Sequence, residues 1–212
     1  MSNNGITVTA TGAASGPPDR AVLTLGATAV RGEVATALGV VNGKLESLVS
    51  TLAGYGIEGP DIQTSDLSIW PEHNQEGAVA GFRVRNTVKI STTDLERLGE
   101  VIGAATAVLG DLAEVHGLAF EVADRAPFEA QARARAWGQA LDKARQLADL
   151  AGTRLGKAID ITETSGQGPG PMPKRAMAMA MADAAPVEAG SASIEVRLLV
   201  RFAQFPDDHA SG

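Results

Sequence analysis

Apolar residues in this 212-residue chain repeat with two different periods, and the order in which the periods alternate limits the folds open to it. Seven segments place apolar side chains at every second position, which is typical of a strand with one buried face. Three others place them at spacings of three and four, which is typical of an amphipathic helix. In chain order the segments predict a single α+β domain, ββαββαβαββ, with three helices packed on an antiparallel or mixed sheet.

The predicted strands are bounded by Gly, Pro and Asp residues, which favour turns. Their sequences are ITVTATGAA, RAVLTLGATAV, DIQTSDLSIW, GFRVRNTVKIS, AEVHGLAFEV, KAIDITET and SIEVRLLVRF. The first two flank the segment SGPPD, so we expect them to form a β-hairpin or a paired edge. The last is the most regular, and its inward positions are Ile194, Val196, Leu198, Val200 and Phe202.

Three helices are predicted between these strands. Their apolar stripes cover residues 38–52, 95–109 and 137–148. The second opens with a capping-box pattern, because Thr93 is followed three residues later by Glu96. The third, from residue 127 to 151, is the longest. Its predicted buried side consists of Trp137, Leu141, Ala144, Leu147 and Ala148.

A short internal match suggests a duplication inside the domain. Leu45-Glu46-Ser47-Leu48 resembles Leu95-Glu96-Arg97-Leu98, fifty residues further along the chain. Each stretch leads through glycines into a predicted strand, so the order strand, helix, strand occurs twice. Such self-similarity is the sequence mark of a repeated supersecondary unit.

Composition excludes several classes of protein. Hydrophobic side chains make up 44% of the chain, which is enough for one domain over residues 1–212. A formal net charge of −7 argues against a nucleic-acid partner, since such modules concentrate Lys and Arg on one face. The absence of cysteine excludes a disulfide framework, thiolate catalysis and Cys-ligated zinc.

The first residues carry neither the basic nor the apolar region of a secretory leader. No apolar run approaches the length of about 20 residues that a membrane-spanning helix needs. We therefore expect a soluble protein without a transmembrane segment and predict a cytoplasmic location. A periplasmic or secreted location is the alternative if a leader has been removed.

The order of several segments resembles the SIMPL domain family. The resemblance rests on ITVTATG, PPDRAVLTLG, GIEGPDIQTSDLSIWP, GFRVRNTVKIS followed by DLERLG, and ALDKARQLADLAGTRLGKAIDITET. It implies an α+β fold. Several members are periplasmic or outer-membrane-associated antigens that assemble into large oligomers, and an animal member associates with a signalling kinase. The resemblance implies no enzymatic activity.

A segment rich in Pro, Gly, Met and Ala, residues 166–190, interrupts the pattern before the last strand, and a flexible tail is expected over residues 206–212. The segment is predicted to be an interaction loop whose apolar contacts come from Met172, Met177, Met179 and Met181. Because thioethers are soft ligands, a Cu(I) site formed by Met177, Met179 and Met181 is the minority alternative.

No catalytic residue or cofactor motif is identified. The histidines are isolated from one another, and they are His73, His116 and His209. A catalytic acid/base pair stays open as an alternative among the carboxylates near the strand ends. These are Asp61, Asp66, Glu121 and Asp124. The cations of the third helix are interpreted as a solvated face, and they are Arg133, Arg135, Lys143 and Arg145.

Together these observations predict a non-enzymatic, oligomer-forming structural or interaction protein. Its predicted partner is another copy of itself, and a different protein is the second candidate. The regular strand patterns at both ends of the chain suggest sheet edges available for pairing. A small-ligand or Cu(I)-binding module is the alternative, and an unrecognised hydrolase ranks below it.

Overall fold

A computed structural model of the protein describes residues 5–165 and 190–206. The described residues form strands and α-helices in the order ββαββαβαββ, which confirms the predicted α+β class. The strands are β1 Gly5–Gly16, β2 Arg20–Arg31, β3 Ile62–His73, β4 Val79–Thr92, β5 Ala113–Glu121, β6 Thr153–Ser165 and β7 Ala192–Pro206. The helices are α1 Val34–Ala53, α2 Leu98–Leu109 and α3 Ala126–Leu150.

The strands divide between two antiparallel sheets. Sheet A has the order β1-β7-β6, and sheet B has the order β3-β4-β2-β5. The predicted hairpin is therefore wrong, because β1 pairs with β7 while β2 lies between β4 and β5. Pro17 and Pro18 lie in the connection between β1 and β2 and have no N–H groups, so the connection lacks donors that a tight hairpin turn uses.

Sheet A and α3 form one compact unit with its own core. The inward residues of β7 are buried as predicted. The prediction for α3 is partly wrong, since Trp137 and Leu147 are 36% and 45% exposed. The buried side is instead a line of alanines four residues apart, Ala132, Ala136, Ala140, Ala144 and Ala148. These small side chains let the helix lie close to the sheet.

Sheet B forms the other compact unit with α1 and α2. The predicted stripe of α1 is confirmed, because Val41, Leu48 and Leu52 are fully buried on one face of the sheet. The predicted capping box is wrong, since α2 begins only at Leu98. Asp94 Oδ1 accepts the N–H of Arg97 at 3.1 Å, which holds the preceding residues in a turn.

The internal match of the sequence does not fall on equivalent structure. Leu45–Leu48 lies inside α1, whereas only the last residue of the matching stretch, Leu98, belongs to α2. The duplication therefore stays a hypothesis.

Candidate interaction surface

The outer strands of the two sheets are the first places to look for a partner. An outer strand has unpaired N–H and C=O groups along one side, which a further strand can use. The outer strands are β1 and β6 in sheet A, and β3 and β5 in sheet B. The expectation that the last strand offers a free edge is wrong, since β7 lies between β1 and β6.

The edge of β1 is occupied by cations from α3. Lys143 Nζ donates to the carbonyl oxygen of Thr9 at 2.9 Å, and Arg135 Nη1 donates to that of Ala13. A strand laid along β1 would have to displace both charged groups, which is one way in which proteins protect an edge. These side chains are exposed, as the solvated-face interpretation expects, but they also have a structural role that sequence reasoning missed.

A bidentate ion pair joins α3 to the outer strand β6. Arg133 Nε lies 2.6 Å and Nη2 2.8 Å from the two carboxylate oxygens of Glu163. The hydrogen bonds from Arg133 hold the pKa of Glu163 below its ordinary value, and the same bonds raise the pKa of Arg133. Both side chains remain partly exposed, so solvent weakens the attraction between the two charges.

Bulges interrupt the edges of β5 and β6. In β5 the pairing with β2 shifts at Thr24 and Leu25, which leaves His116 as an extra residue between Val115 and Gly117. In β6 the register shifts twice between residues 155 and 160. A bulge bends a strand and breaks the regular spacing of its hydrogen-bonding groups, so it shortens the run that a further strand can pair with. The runs that remain are Gly117–Glu121 in β5 and Asp160–Ser165 in β6, where Ile161 is 55% exposed.

The edge of β3 is regular and apolar. Its pairing with β4 runs without a register shift from Asp66 to Glu72. Leu67, Ile69 and Trp70 are 53%, 43% and 44% exposed. Among residues 5–165 and 190–206, no side chain donates a hydrogen bond to a carbonyl oxygen of this run. Register shifts bound this run on both sides, but an exposed apolar run within an outer strand is unusual unless something pairs with it.

Sequence reasoning found this strand but not its importance. Leu67 and Ile69 lie opposite Asn86 and Val84, on the helix-covered side of sheet B, whereas Trp70 lies on the other side. Both sides of an outer strand therefore carry exposed apolar groups. The signal was present in the sequence, because apolar residues at positions 67, 69 and 70 do not all share one face of a strand.

On the open side of sheet B, Trp70 belongs to a row of charged neighbours. The guanidinium carbon of Arg85 lies 5.5 Å from the centre of the Trp70 ring, within the range of a cation–π contact. Arg85 Nε also lies 2.7 Å from a carboxylate oxygen of Glu114. Arg83 forms an ion pair with Glu72, and this contact raises the pKa of Arg83.

The same face places a hydroxyl, an imidazole and a carboxylate close together. His116 Nε2 lies 3.4 Å from Thr87 Oγ1 and 3.7 Å from Glu114 Oε2. In a hydrolase triad, the hydroxyl and the carboxylate bond to opposite ring nitrogens, so that one orients the base that the other needs. Here both approach the same nitrogen, Thr87 is only 5% exposed and Glu114 contacts Arg85. The group is not arranged for nucleophilic attack.

A shallow groove of about 580 Å³ lies between α1 and β3 on the helix-covered side. Its lining is mixed: Leu45, Val49, Ile62 and Val88 contribute apolar side chains, and Asn42, Glu46, Ser50 and Thr64 contribute polar ones. Asn86 also lines it, with a buried Oδ1 that accepts no hydrogen bond from the described residues. Because Asn86 lies opposite Leu67 in the ladder, the groove borders the apolar side of the β3 edge.

Other predicted site residues have local roles or fall outside the described residues. Asp66 accepts a hydrogen bond from Ser68 Oγ, and Asp124 accepts one from the N–H of Ala126. Asp61 ends the 3₁₀ turn before β3, Glu121 is the last residue of β5, and His73 is exposed at the end of β3. Within residues 5–165 and 190–206, no cluster of three or more Asp, Glu or His side chains is placed to hold a metal ion.

His209 lies outside the described residues. So do the four methionines of the predicted interaction loop, Met172, Met177, Met179 and Met181. The loop and Cu(I) interpretations stay predictions. Competition for Cu(I) between the wild type and a variant with Met177, Met179 and Met181 replaced by Leu separates them, because Leu keeps the apolar volume and removes the sulfur.

No helix in the described part of the chain is long and apolar enough to cross a lipid bilayer.

A family comparison covers both sheets. The sequence model of the SIMPL family, described as "Protein of unknown function (DUF541)", matches residues 6–202. The chain belongs to the SIMPL family. The match confirms the resemblance. The matched residues include almost all of the elements that form the two cores. The function of the SIMPL family is not established by its description.

The names of two relatives state a cellular location. Both are named "26 kDa periplasmic immunogenic protein", one from Brucella melitensis biotype 1 and one from Brucella abortus. Each is 27% identical to this SIMPL chain over 172 residues, which cover 76% of the chain and 66% of the relative. The match therefore spans slightly less than two thirds of the relatives' length.

The names of these relatives contradict the predicted cytoplasmic location, and they point to the periplasm instead. The prediction rested on the first residues of the chain. A secretory leader is cleaved from the mature protein and takes no part in its fold, so the residues of a folded SIMPL domain need not record the compartment.

Proposed function

We propose that this SIMPL protein is a non-enzymatic, periplasmic protein that works by assembling with copies of itself. The observation that carries the proposal is the edge of β3, where an unbroken run from Asp66 to Glu72 combines unpaired main-chain groups with exposed Leu67, Ile69 and Trp70. Pairing along this edge satisfies the main-chain groups and removes apolar surface from water.

The other described edges support self-association through β3 rather than elsewhere. Cations occupy two carbonyl oxygens of β1, and bulges interrupt β5 and β6. Among the outer strands with register shifts, β3 keeps the longest regular run, Asp66 to Glu72, against Gly117 to Glu121 in β5 and Asp160 to Ser165 in β6. The run of β3 also carries the most exposed large apolar side chains, which favours it as the interface.

Two observations favour the non-enzymatic and periplasmic parts of the proposal. The best-placed polar group, around His116, has its hydroxyl and carboxylate on one ring nitrogen, which does not suit catalysis. The periplasmic names of two relatives favour the same compartment for this protein. Fractionation of the native host tests the location, and recovery in the cytoplasmic fraction alone would contradict it.

Assembly is tested by measuring the native mass over a wide range of protein concentration. We expect a mass that is a multiple of the 21.7 kDa of one chain. The double variant Leu67→Lys and Ile69→Lys places two like charges on the edge, so we expect it to lose assembly while keeping its circular dichroism spectrum.

A matched control uses the protected edge. Thr7→Lys adds a charge at an exposed position of β1 and should leave the native mass unchanged. A wild-type mass of one chain at every concentration would overturn the self-association proposal. Equal loss of assembly in the control would move the interface away from β3.

A further inference from the structure

We infer that β3 pairs with β3 of a second copy, antiparallel and centred on Ser68, so that sheet B continues across a two-fold axis. This inference rests on the proposed self-association and adds the partner strand and its register. A two-fold interface uses the same surface of both copies, so one edge serves as its own partner.

The position of Pro71 decides which main-chain groups face the free side. Proline has no N–H, so within an outer strand it turns its nitrogen away from the neighbouring strand. Main-chain groups alternate in direction along a strand, and β3 has no bulge between Asp66 and Glu72. Leu67 and Ile69 therefore share the outward direction of Pro71, whereas Ser68 directs its main-chain groups to β4.

Centring on Ser68 makes full use of these outward groups. Leu67 of each copy then lies opposite Ile69 of the other, and both pairs exchange two main-chain hydrogen bonds. Pro71 falls opposite Ser65, which lies at the register shift where the regular run ends. The missing N–H of Pro71 therefore interrupts nothing.

The register centred on Ile69 is worse than the one centred on Ser68 for two reasons. Centring on Ile69 places Leu67 opposite Pro71, where no N–H is available for the ladder. It also places Asp66 opposite Glu72, and like charges directly across two strands are unfavourable. Centring on Ser68 separates those carboxylates.

Charges favour the Ser68 register on the open side of the sheet. There Asp66 lies opposite Trp70 of the second copy, whose ring carries the guanidinium of its own Arg85 at 5.5 Å. A carboxylate thus approaches an aromatic group that already holds a cation. On the helix-covered side, two Leu67–Ile69 pairs cover side chains that are 53% and 43% exposed in the single chain.

The natural absence of cysteine makes the register directly measurable. Across the two-fold axis the two Ser68 residues form a non-hydrogen-bonded pair, with Cα atoms about 4.5 Å apart. That distance lies inside the disulfide range of about 4.4–6.8 Å. We expect purified full-length Ser68→Cys to form a disulfide-linked dimer under mild oxidation, with the native mass of the wild type.

Neighbouring positions supply the controls. In this register, the two copies of residue 69 lie about 8 Å apart, beyond disulfide reach, and those of residue 66 lie farther still. Ile69→Cys and Asp66→Cys should each fail to cross-link with themselves. A mixture of Asp66→Cys and Trp70→Cys chains, unfolded and refolded together, should form the mixed disulfide.

The outcomes separate the inference from the proposed function. An assembled wild type with an unlinked Ser68→Cys variant would overturn the register and leave self-association standing. Efficient self-linking of Ile69→Cys would also overturn the register. A wild type that is a single chain at all concentrations would overturn both.

Discussion

Gly12 is the residue on which the close contact between α3 and sheet A depends. A Cβ atom at this position would lie 2.1 Å from the carbonyl oxygen of Ala132 and 2.4 Å from the nitrogen of Ala136. Both are main-chain atoms of a helix, so neither can move alone. The alanine line of α3 and the glycine of β1 are therefore two halves of one packing arrangement.

We predict that Gly12→Ala destabilises the protein by about 1–3 kcal/mol, because the added methyl group forces α3 away from β1. Urea unfolding followed by circular dichroism measures the change. The control is Gly138→Ala in α3, where no atom lies within 4 Å of the added group. It should stabilise the protein by up to about 1 kcal/mol, because alanine is the better helix former. Effects of the same sign in both variants would contradict the packing argument.

The ion pair of Arg133 and Glu163 predicts a pH dependence of stability. The pKa of Glu163 lies below its ordinary value of 4.5 in the folded chain. At pH values above 4.5, the pair therefore makes its full contribution to the stability of the fold. That contribution is lost as the pH falls through the lowered pKa of Glu163. We expect Glu163→Gln to lower the melting temperature slightly at pH 7 and to match the wild type in strong acid. A difference that persists at both pH values would point to packing instead of charge.

At the scale of elements, the outer strands differ in how they are protected. The β1 edge depends on Lys143 and Arg135, whose donor groups occupy the carbonyl oxygens of Thr9 and Ala13. Both cations lie on α3. The helix that packs on one face of sheet A therefore also occupies hydrogen-bonding groups at the edge of that sheet.

Replacing Lys143 and Arg135 together by Met should open this second edge, since Met keeps the apolar stem and removes the charge. We predict concentration-dependent association beyond the wild-type assembly, seen as a higher mass by light scattering. The control is Arg145→Met, which removes a cation of α3 that pairs only with Asp142 in the same helix among the described contacts. Association in the control alone, or in neither variant, would show that the β1 edge is not guarded in this way.

The elements themselves could be predicted from the sequence, but their partners could not. The alternation in β7 identifies a strand and its buried face, because both are local properties. It says nothing about β1 as its neighbour, which lies almost the whole chain away. The buried side of α3 was misread for a different reason: Trp137 and Leu147 outweigh the alanines in apolar size, whereas close packing against Gly12 favours the smaller side chains.

At the scale of the whole molecule, the same limit explains why the interaction surface was missed. The open side of sheet B brings together Trp70 from β3, Arg85 from β4 and Glu114 from β5. Only the strand order makes these residues neighbours, and strand order is not written in any one segment. The exposed run of β3 likewise follows from its place at the end of the sheet.

The two units differ in how the chain builds them. The described strands and helices around sheet B all lie between Pro18 and Ala123, whereas sheet A combines β1 from one end of the chain with β6 and β7 from the other. The first unit closes its core with segments close in sequence. The second needs segments that lie far apart in the chain, and its central strand, β7, is the last described strand in chain order.

We therefore predict that residues 18–123 fold when expressed alone, because every described strand and helix that packs on the core of sheet B lies inside this range. The fragment should show a cooperative urea transition by circular dichroism, and it should self-associate because it contains β3. Adding Ile69→Lys to the fragment should reduce that association without unfolding it. An unfolded 18–123 fragment would mean that the core of sheet B depends on residues beyond its own strands and helices.

The unit of sheet A should behave differently. A chain ending at Gly190 lacks β7, the central strand of sheet A, and should lose the protection of α3 against proteolysis.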